Sequence, residues 1–214
     1  MQSGLREVVE YELPGEMDLP GAQVSWQVDP RRASLLVHDM QEYFLGAFSS
    51  APALRAALLE RAQTVLAAAR RAGIPVFFSA QPGDMTIDER GLLADLWGPG
   101  MRATEAQRSV VPELAPQTDE RVLTKWRYSA FYRSPLLEEL RAAGRDQLVV
   151  IGVYAHLGII ATALDAYSND IETFVVSDAT ATFSRTEHEQ SLSFAASSCA
   201  VVTTTAAVIG ALTR

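Results

Sequence analysis

Short runs of consecutive hydrophobic residues recur along most of the chain, separated by longer alanine-, leucine- and charge-rich stretches. Because the hydrophobic positions are continuous and do not alternate with polar ones, the runs predict strands that helices cover on both faces. The predicted strands cover 34–38, 75–80, 121–125, 147–152, 173–177 and 200–204. Right-handed crossovers between them predict an α/β fold with three layers, in which a doubly wound parallel sheet lies between two layers of helices.

Capping and turn residues mark the helices between these strands. The longest predicted helix covers 52–72, with Ser50 available as its N-cap and Gly73 as its stop. Ser184 and Glu187 have the spacing of a capping box. Further helices are predicted over 135–143, 157–167 and 184–196. A loop of about two dozen residues follows the second strand, and loops of that length in compact domains are usually functional.

The first 30 residues differ from the rest of the chain. Three prolines interrupt them, acidic residues are scattered through them, and they lack the apolar segment of a signal peptide. Trp26 and several leucines and valines make them too apolar for a free tail. We therefore expect 1–30 to form an extended arm that packs along the domain or a partner subunit, and 31–214 to form a single domain.

The acidic balance of the chain restricts its partners. A net charge of −8 argues against binding to nucleic acid or to an anionic membrane surface. An anionic substrate would therefore need a locally positive site. The single cysteine excludes an internal disulfide, and no apolar run approaches the length of a membrane span. These features predict a cytoplasmic protein.

Polar residues stand where several predicted strands end. Asp39 follows the first strand, Gln81 follows the second, and Lys125 ends the third. The fourth strand runs into a tight turn over 154–158. Ligands of parallel sheets bind at this edge, so we expect these residues to form one site. A nucleophile would sit best at position 158, which is glycine. The site is therefore predicted to transfer protons without a covalent enzyme intermediate.

These segments resemble the isochorismatase family, hydrolases related to nicotinamidases and other cysteine hydrolases, over roughly residues 34–205. The resemblance is carried by SLLVHDMQEYF, FFSAQPGDMT, ERGLLADLWGPGM, KWRYSAF, GVYAHLG and ATFSRTEH. AQPGDMT, AAGRDQLV and DAYSND are most similar to the phenazine-pathway branch. That branch acts on 2-amino-2-deoxyisochorismate and also accepts isochorismate.

The resemblance implies that 31–214 is an isochorismatase-like hydrolase domain with strand order 3-2-1-4-5-6. It also implies a homodimer and a cis peptide bond between Val153 and Tyr154. The cysteine hydrolases of this group use Asp, Lys and Cys. Asp39 and Lys125 match the first two here, and Gly158 replaces the third. No aryl carrier domain is expected after the hydrolase domain.

An enol-ether substrate needs a positioned acid and a water molecule. We assign Asp39 as the acid that protonates the terminal carbon, although an isolated Asp at a strand end would more simply cap the next turn. Lys125 is expected to orient Asp39 and to contact a substrate carboxylate or the ether oxygen. Because Lys125 favours the ionised form of Asp39, we expect Asp39 to take up its proton when the substrate binds.

Other residues are predicted to line the pocket for a small dicarboxylate. Gln81 and Arg90 are expected to bind substrate, with Arg90 as a carboxylate clamp, although alone they would be a loop cap and a surface charge. Tyr154 is expected to hydrogen-bond a carboxylate, and Gly158 to leave room for the ring and offer an N–H. The pocket wall is expected to include Tyr43, Phe44, Trp97 and Tyr128.

The sequence gives no reason to expect a metal or a cofactor. His38, His156 and His188 are widely separated, and none forms a close ligand pair beside Asp39. We interpret His38 as a satisfied core histidine, His156 as structural, and Cys199 as a buried, inert thiol.

Two alternatives to a vinyl-ether hydrolase remain open at this point. An amidase is disfavoured because Gly158 leaves no thiol to form an acyl-enzyme. A catalytically inactive binding or assembly domain is disfavoured by the four polar groups expected at one crevice. The sequence leaves open whether the substrate ring carries an amino or a hydroxyl group.

Overall fold

A six-stranded parallel sheet with the order β3-β2-β1-β4-β5-β6 forms the centre of the protein. The structure, a computed structural model, describes residues 4–213. Its strands are β1 (Ala33–His38), β2 (Val76–Ala80), β3 (Arg121–Thr124), β4 (Gln147–Val153), β5 (Glu172–Ala181) and β6 (Ala200–Thr203). Every residue of β1 and β4 is buried, as their continuous apolar sequences predict. The predicted fold class and strand order are both confirmed.

Helices cover both faces of the sheet. They are α1 (Glu42–Gly46), α2 (Pro52–Ala72), α3 (Ile87–Arg90), α4 (Leu93–Trp97), α5 (Glu105–Arg108), α6 (Leu136–Ala142), α7 (Ile160–Ser168), α8 (Arg185–Ser198) and α9 (Thr205–Leu212). The apolar sides of α2 and α9 pack in one core with Val149 and Ile151 of β4. Those of α6, α7 and α8 pack in a second core with Leu148 and Val150. Successive residues of β4 thus serve opposite faces of the sheet.

Several boundaries differ from the sequence-based prediction. The predicted fifth strand stops at 177, but β5 continues to Ala181, after an irregularity in its pairing with β4. The helix expected from Leu157 begins at Ile160, because a π-helical turn over Ala155–Ile159 precedes it. Gly73 ends α2 in a left-handed conformation (φ 65°), as expected.

The described part of the N-terminal arm, residues 4–30, packs along the domain. Its backbone N–H groups at Val8 and Val9 donate to the carbonyls of Ala47 and Phe183, each at 2.9 Å. The arm also caps α2, because the Glu10 carboxylate accepts hydrogen bonds from the N–H groups of Ala53 and Leu54.

The prediction of Ser50 as the N-cap of α2 is wrong. Ala51 occupies the cap position, and the Ser50 hydroxyl donates to the carbonyl of Val8 at 2.9 Å. Ser184 caps α8 by accepting the N–H of Glu187, but the predicted capping box forms only in this half, because the Glu187 carboxylate accepts from the Ser184 hydroxyl. Between residues 4 and 213, no helix is both long enough and apolar enough to cross a membrane.

Candidate active site

A small cavity lies at the carboxyl ends of the central strands. Its lining includes all ten residues predicted for the site, namely Asp39, Tyr43, Phe44, Gln81, Arg90, Trp97, Lys125, Tyr128, Tyr154 and Gly158. The cavity has a volume of about 40 Å³, room for a few water molecules.

The elements of the sheet explain this convergence. Asp39, Gln81 and Lys125 follow β1, β2 and β3, which are neighbours, so their side chains meet at one edge. Tyr154 and Gly158 follow β4 on the other side of β1. The remaining residues come from α1, from α3 and α4 in the long loop, and from the segment after β3.

Asp39 and Lys125 form a buried ion pair at the base of the cavity. Nζ of Lys125 lies 2.7 Å from Oδ2 of Asp39, and their side chains are 2% and 6% exposed. The Ser79 hydroxyl donates to Oδ1 at 2.6 Å. Asp39 adopts a left-handed backbone (φ 52°), which is uncommon outside glycine and recurs at functional sites. Both carboxylate oxygens thus have defined partners.

Arg90 is buried beside the cavity, where neutral groups accept its hydrogen bonds. It is 5% exposed, and no acidic side chain within residues 4–213 forms a salt bridge with it. Its Nε donates to the carbonyl of Gly98 at 2.9 Å, and Nη1 donates to Oε1 of Gln81 at 3.2 Å. Burial lowers the pKa of Arg90, and nearby Arg127 acts in the same direction. A buried guanidinium held by neutral acceptors is suited to bind an anion.

Aromatic rings form most of the remaining wall. The indole Nε1 of Trp97 donates to the hydroxyl of Tyr128 at 2.7 Å, which fixes both rings. Tyr43 and Phe44 pack edge to face, with centroids 5.3 Å apart. Burial raises the pKa of Tyr43, so its hydroxyl is neutral near pH 7. Flat apolar walls around a few polar groups are typical of small-molecule sites.

The expected role of the Tyr154 hydroxyl needs correction. Tyr154 lines the cavity, but its hydroxyl donates to the backbone carbonyl of Phe44 at 2.6 Å. Its proton is therefore not free to bind a substrate carboxylate. Burial holds the pKa of this phenol well above its ordinary value, so it stays neutral. The peptide bond between Val153 and Tyr154 is cis, as the resemblance implied.

Gly158 lies on the π-helical turn and faces His38. A Cβ atom built on Gly158 would overlap Cε1 of His38 and stand 2.9 Å from its Nε2. His38 was expected to be a satisfied core histidine, which holds only for Nδ1, 2.8 Å from the carbonyl oxygen of Val153. Its buried Nε2 has no hydrogen-bond partner among the residues described.

The other two histidines are held by hydroxyl groups. The Nδ1 atom of His156 pairs with the hydroxyl of Thr182. His188 is buried, with its Nδ1 3.2 Å from the Tyr11 hydroxyl and its Nε2 3.1 Å from that of Thr180.

Burial raises the pKa of Cys199 to about 11. The described part of the chain contains no cluster of three or more His, Cys, Asp or Glu residues arranged to hold a metal.

Four residues of the site were not predicted. Leu5, Leu93 and Leu157 line the cavity, and Ser79 binds Asp39. Ser79 could have been found, because it is the second-last residue of a predicted strand and stands two residues before Gln81. Leu5 carries no such signal, since only the path of the arm across the domain brings it there.

Comparisons with known proteins identify the family of this chain. The family model described as Isochorismatase domain matches residues 33–207. Over 207 residues the chain is 52% identical to the phenazine biosynthesis protein PhzD1 of Pseudomonas aeruginosa, covering 97% of this chain and 99% of that protein. Over 202 residues it is 44% identical to an isochorismatase of Bacillus subtilis, covering 94% of this chain and 65% of that protein.

Solved structures give the same result for the fold. A cysteine hydrolase from Pseudomonas syringae pv. phaseolicola has a TM-score of 0.81 at 26% identity, covering 89% of this chain and 96% of its own. An isochorismatase family protein from Desulfovibrio vulgaris has a TM-score of 0.73 at 26% identity, covering 86% and 100%. With a family model matched over most of its length, this chain belongs to the isochorismatase family of hydrolases.

Proposed function

We propose that the protein is a vinyl-ether hydrolase that releases pyruvate from a chorismate-derived dicarboxylate, either 2-amino-2-deoxyisochorismate or isochorismate. The observation that carries this proposal is the buried Asp39–Lys125 pair, which faces the same cavity as a residue without a side chain, Gly158. Relatives named as a phenazine biosynthesis protein and an isochorismatase support the substrate class.

The reaction begins when a proton is transferred to the terminal carbon of the enol ether. Asp39 donates this proton, and the C=C electron pair forms the new C–H bond and leaves an oxocarbenium ion. Water adds to that ion and loses a proton, which restores the acid. The hemiketal hydroxyl then gives up its proton as the bond between the hemiketal carbon and the ring oxygen breaks, the ring oxygen takes up a proton to become a hydroxyl, and pyruvate leaves. The ring product is trans-2,3-dihydro-3-hydroxyanthranilate from the amino substrate, or 2,3-dihydro-2,3-dihydroxybenzoate from the hydroxyl substrate.

Asp39 must carry a proton before it can act. Its hydrogen bonds from Lys125 and Ser79 suit a carboxylate, whereas a substrate carboxylate nearby repels that charge. We propose that Asp39 takes up its proton as the dicarboxylate binds. The Ser79 hydroxyl can then accept a hydrogen bond from the neutral acid, because a hydroxyl both donates and accepts.

The positive groups of the cavity match a dicarboxylate. Arg90 lies buried without an acidic partner among the described residues and binds one carboxylate, with Gln81 orienting its guanidinium. Lys125 contacts the second carboxylate or the ether oxygen while it stays paired with Asp39. Trp97 and Tyr128 pack against the ring. Local positive charge thus overcomes the net charge of −8 of the whole chain.

A mechanism with a covalent enzyme intermediate lacks its nucleophile. Gly158 offers no side chain at the turn, and the one cysteine, Cys199, is buried at the end of α8. Its raised pKa disfavours the thiolate that such a mechanism needs. A purely binding role gives no reason to bury an ion pair at the cavity, since ion pairs of this kind add little to stability.

The test is pyruvate release, followed by coupled reduction to lactate. We expect stoichiometric pyruvate from at least one of the two substrates, and no turnover in Asp39→Ala. Intact-mass measurement during turnover should show only the unmodified chain. A covalent adduct, or full activity in Asp39→Ala, would contradict the proposal. Specificity constants for the two substrates then decide whether the amino or the hydroxyl ring is preferred.

The proposal also covers the division into arm and domain, the oligomeric state and the location of the protein. The arm over 1–30 and the hydrolase domain over 31–214 are supported by the family match to 33–207. A homodimer is supported by Ile87, Leu92 and Leu96, three apolar side chains of the long loop that are 81%, 81% and 67% exposed. Light scattering after gel filtration tests the dimer.

A single unpaired cysteine agrees with a cytoplasmic location, which cell fractionation tests.

A further inference from the structure

Position 158 has no room for a side chain, and His38 is the main reason. The nearest atoms to a Cβ at this position are Cε1 and Nε2 of the His38 ring, and the next is the carbonyl oxygen of Tyr128 at 3.1 Å. The carbonyl contact is only slightly tight, whereas the overlap with the ring is severe. A methyl group at residue 158 therefore requires the imidazole to move.

The imidazole is not free to move. His38 is fully buried at the end of β1, where it pairs in register with Ser79 of β2 and Gly152 of β4. Its Nδ1 is tied to the carbonyl oxygen of Val153, the residue before the turn that carries Gly158. Rotation of the ring would break this hydrogen bond inside a close-packed interior. The ring and the turn are therefore held together.

The ring also stays uncharged. Burial lowers the pKa of His38 to about 4, so the imidazole is neutral near pH 7. The carbonyl oxygen of Val153 can only accept a hydrogen bond, so the proton of the neutral ring is assigned to Nδ1. The ring adds no positive charge beside Asp39, whose Oδ2 lies 3.8 Å from Nδ1. His38 can thus fill space next to the acid without competing with Lys125 for it.

We propose that His38 is a positioning residue for the hydrolysis. Its imidazole occupies the space that any side chain at residue 158 would need, and it holds the Val153–Gly158 turn against the cavity through its hydrogen bond. His38 and Gly158 are therefore a matched pair, and the pair keeps nucleophilic side chains out of the site. The matched pair explains why residue 158 has no side chain. The change in stability that it predicts does not depend on which substrate the enzyme takes.

A double-mutant cycle with Gly158→Ala and His38→Asn tests the pairing. An asparagine amide can still donate to the carbonyl of Val153 but lacks the ring atoms that meet the new Cβ. We expect Gly158→Ala to lower the melting temperature by at least about 5 °C in the wild-type background and far less in His38→Asn. Gly210→Ala is the matched control, because no atom lies within 4 Å of a Cβ built there.

Activity separates positioning from simple packing. We expect Gly158→Ala to lower kcat about 100-fold, and His38→Asn/Gly158→Ala to regain most of that loss. His38→Val lacks the N–H that donates to the carbonyl of Val153. It should therefore have a lower kcat with little change in KM, and combining it with Gly158→Ala should not restore kcat.

Equal losses from Gly158→Ala in both backgrounds, in melting temperature and in kcat, would overturn the proposal. If Gly158→Ala does not fold, recovery of the folded double variant supports the proposal, and failure of the double variant as well overturns it. Failure of the proposed function is distinguishable, because it would leave the cycle in melting temperature intact and show no pyruvate release in any variant.

Discussion

Two cavities at opposite ends of the sheet differ in size and in the state of their charges. The larger is an open groove of about 610 Å³ at the amino ends of β2 and β3. Its arginines are already paired, Arg70 with Glu120 and Arg121 with Glu139, each at 2.8 Å. Both arginines of the groove are therefore already neutralised by a carboxylate.

The smaller cavity, at the carboxyl ends, has the opposite character. Arg90 is buried with neutral acceptors only, and Nε2 of His38 has no partner among residues 4–213. Burying polar groups in this incomplete state costs free energy, and such costs recur where a protein binds or reacts. Incomplete pairing of buried polar groups, rather than volume, thus distinguishes the end of the sheet at which we propose the active site.

Removing one charge at each end should give very different losses of stability. We expect Lys125→Met to lower the free energy of unfolding by about 3–5 kcal/mol, because it leaves the buried Asp39 carboxylate without its cation. Arg121→Met breaks an ion pair whose arginine is 65% exposed, and should cost at most about 1 kcal/mol. Urea unfolding measures both values. Similar losses in the two variants would contradict the comparison.

Neutral variants of two arginines should separate binding from stability. We expect Arg90→Gln to raise KM about 10- to 100-fold, since a hydrogen-bonded carboxylate clamp is lost, while stability stays the same or rises. Arg70→Gln, in the groove, should leave KM unchanged and lower stability slightly. Steady-state kinetics and thermal unfolding provide the readouts. An unchanged KM in Arg90→Gln would remove Arg90 from the binding site.

His188 should make stability depend on pH. Burial lowers its pKa to about 3 in the folded protein, whereas the pKa of an unfolded histidine is near the ordinary value of 6.5. Below that value the unfolded chain binds a proton that the folded chain refuses. Stability should therefore fall as pH decreases from about 6.5, by up to about 1.4 kcal/mol per pH unit for this group. His188→Gln should reduce that slope, which melting curves between pH 5 and 8 would show.

Proton uptake on binding tests the proposed state of Asp39. We expect the wild type to take up about one proton when it binds a saturated, unreactive analogue of the substrate, because the carboxylate becomes neutral. Asp39→Asn should bind without that uptake. Calorimetry in two buffers with different ionisation enthalpies measures the difference. Equal uptake by both proteins would mean that the proton goes elsewhere.

The strands and the Asp39–Lys125 pair could be predicted from the sequence, because both depend on the order of residues within short segments. Continuous apolar runs specify buried parallel strands, and residues after adjacent strands must meet at one edge. Asp39, Lys125 and Gln81 were found in this way. The cis bond at Val153–Tyr154 and the strand order came only from the family resemblance.

The remaining details depend on contacts between distant parts of the chain. The Tyr154 hydroxyl donates to a carbonyl 110 residues away. Ser50 does not cap α2, because its hydroxyl donates to Val8 and Glu10 of the arm caps the helix instead. Leu5 reaches the cavity through the same arm. The vacant Nε2 of His38 follows from how β1 faces the turn after β4. Neither secondary-structure propensity nor hydrophobic periodicity determines such contacts between distant side chains.

Trp97 gives this protein an optical reporter. Its indole lines the cavity and is held by Tyr128, whereas the chain's two other tryptophans, Trp26 and Trp126, do not line it. Replacing those two with phenylalanine leaves one fluorophore whose emission responds to the cavity. Ligand arrival and departure can then be followed in real time by stopped-flow fluorescence, without any label.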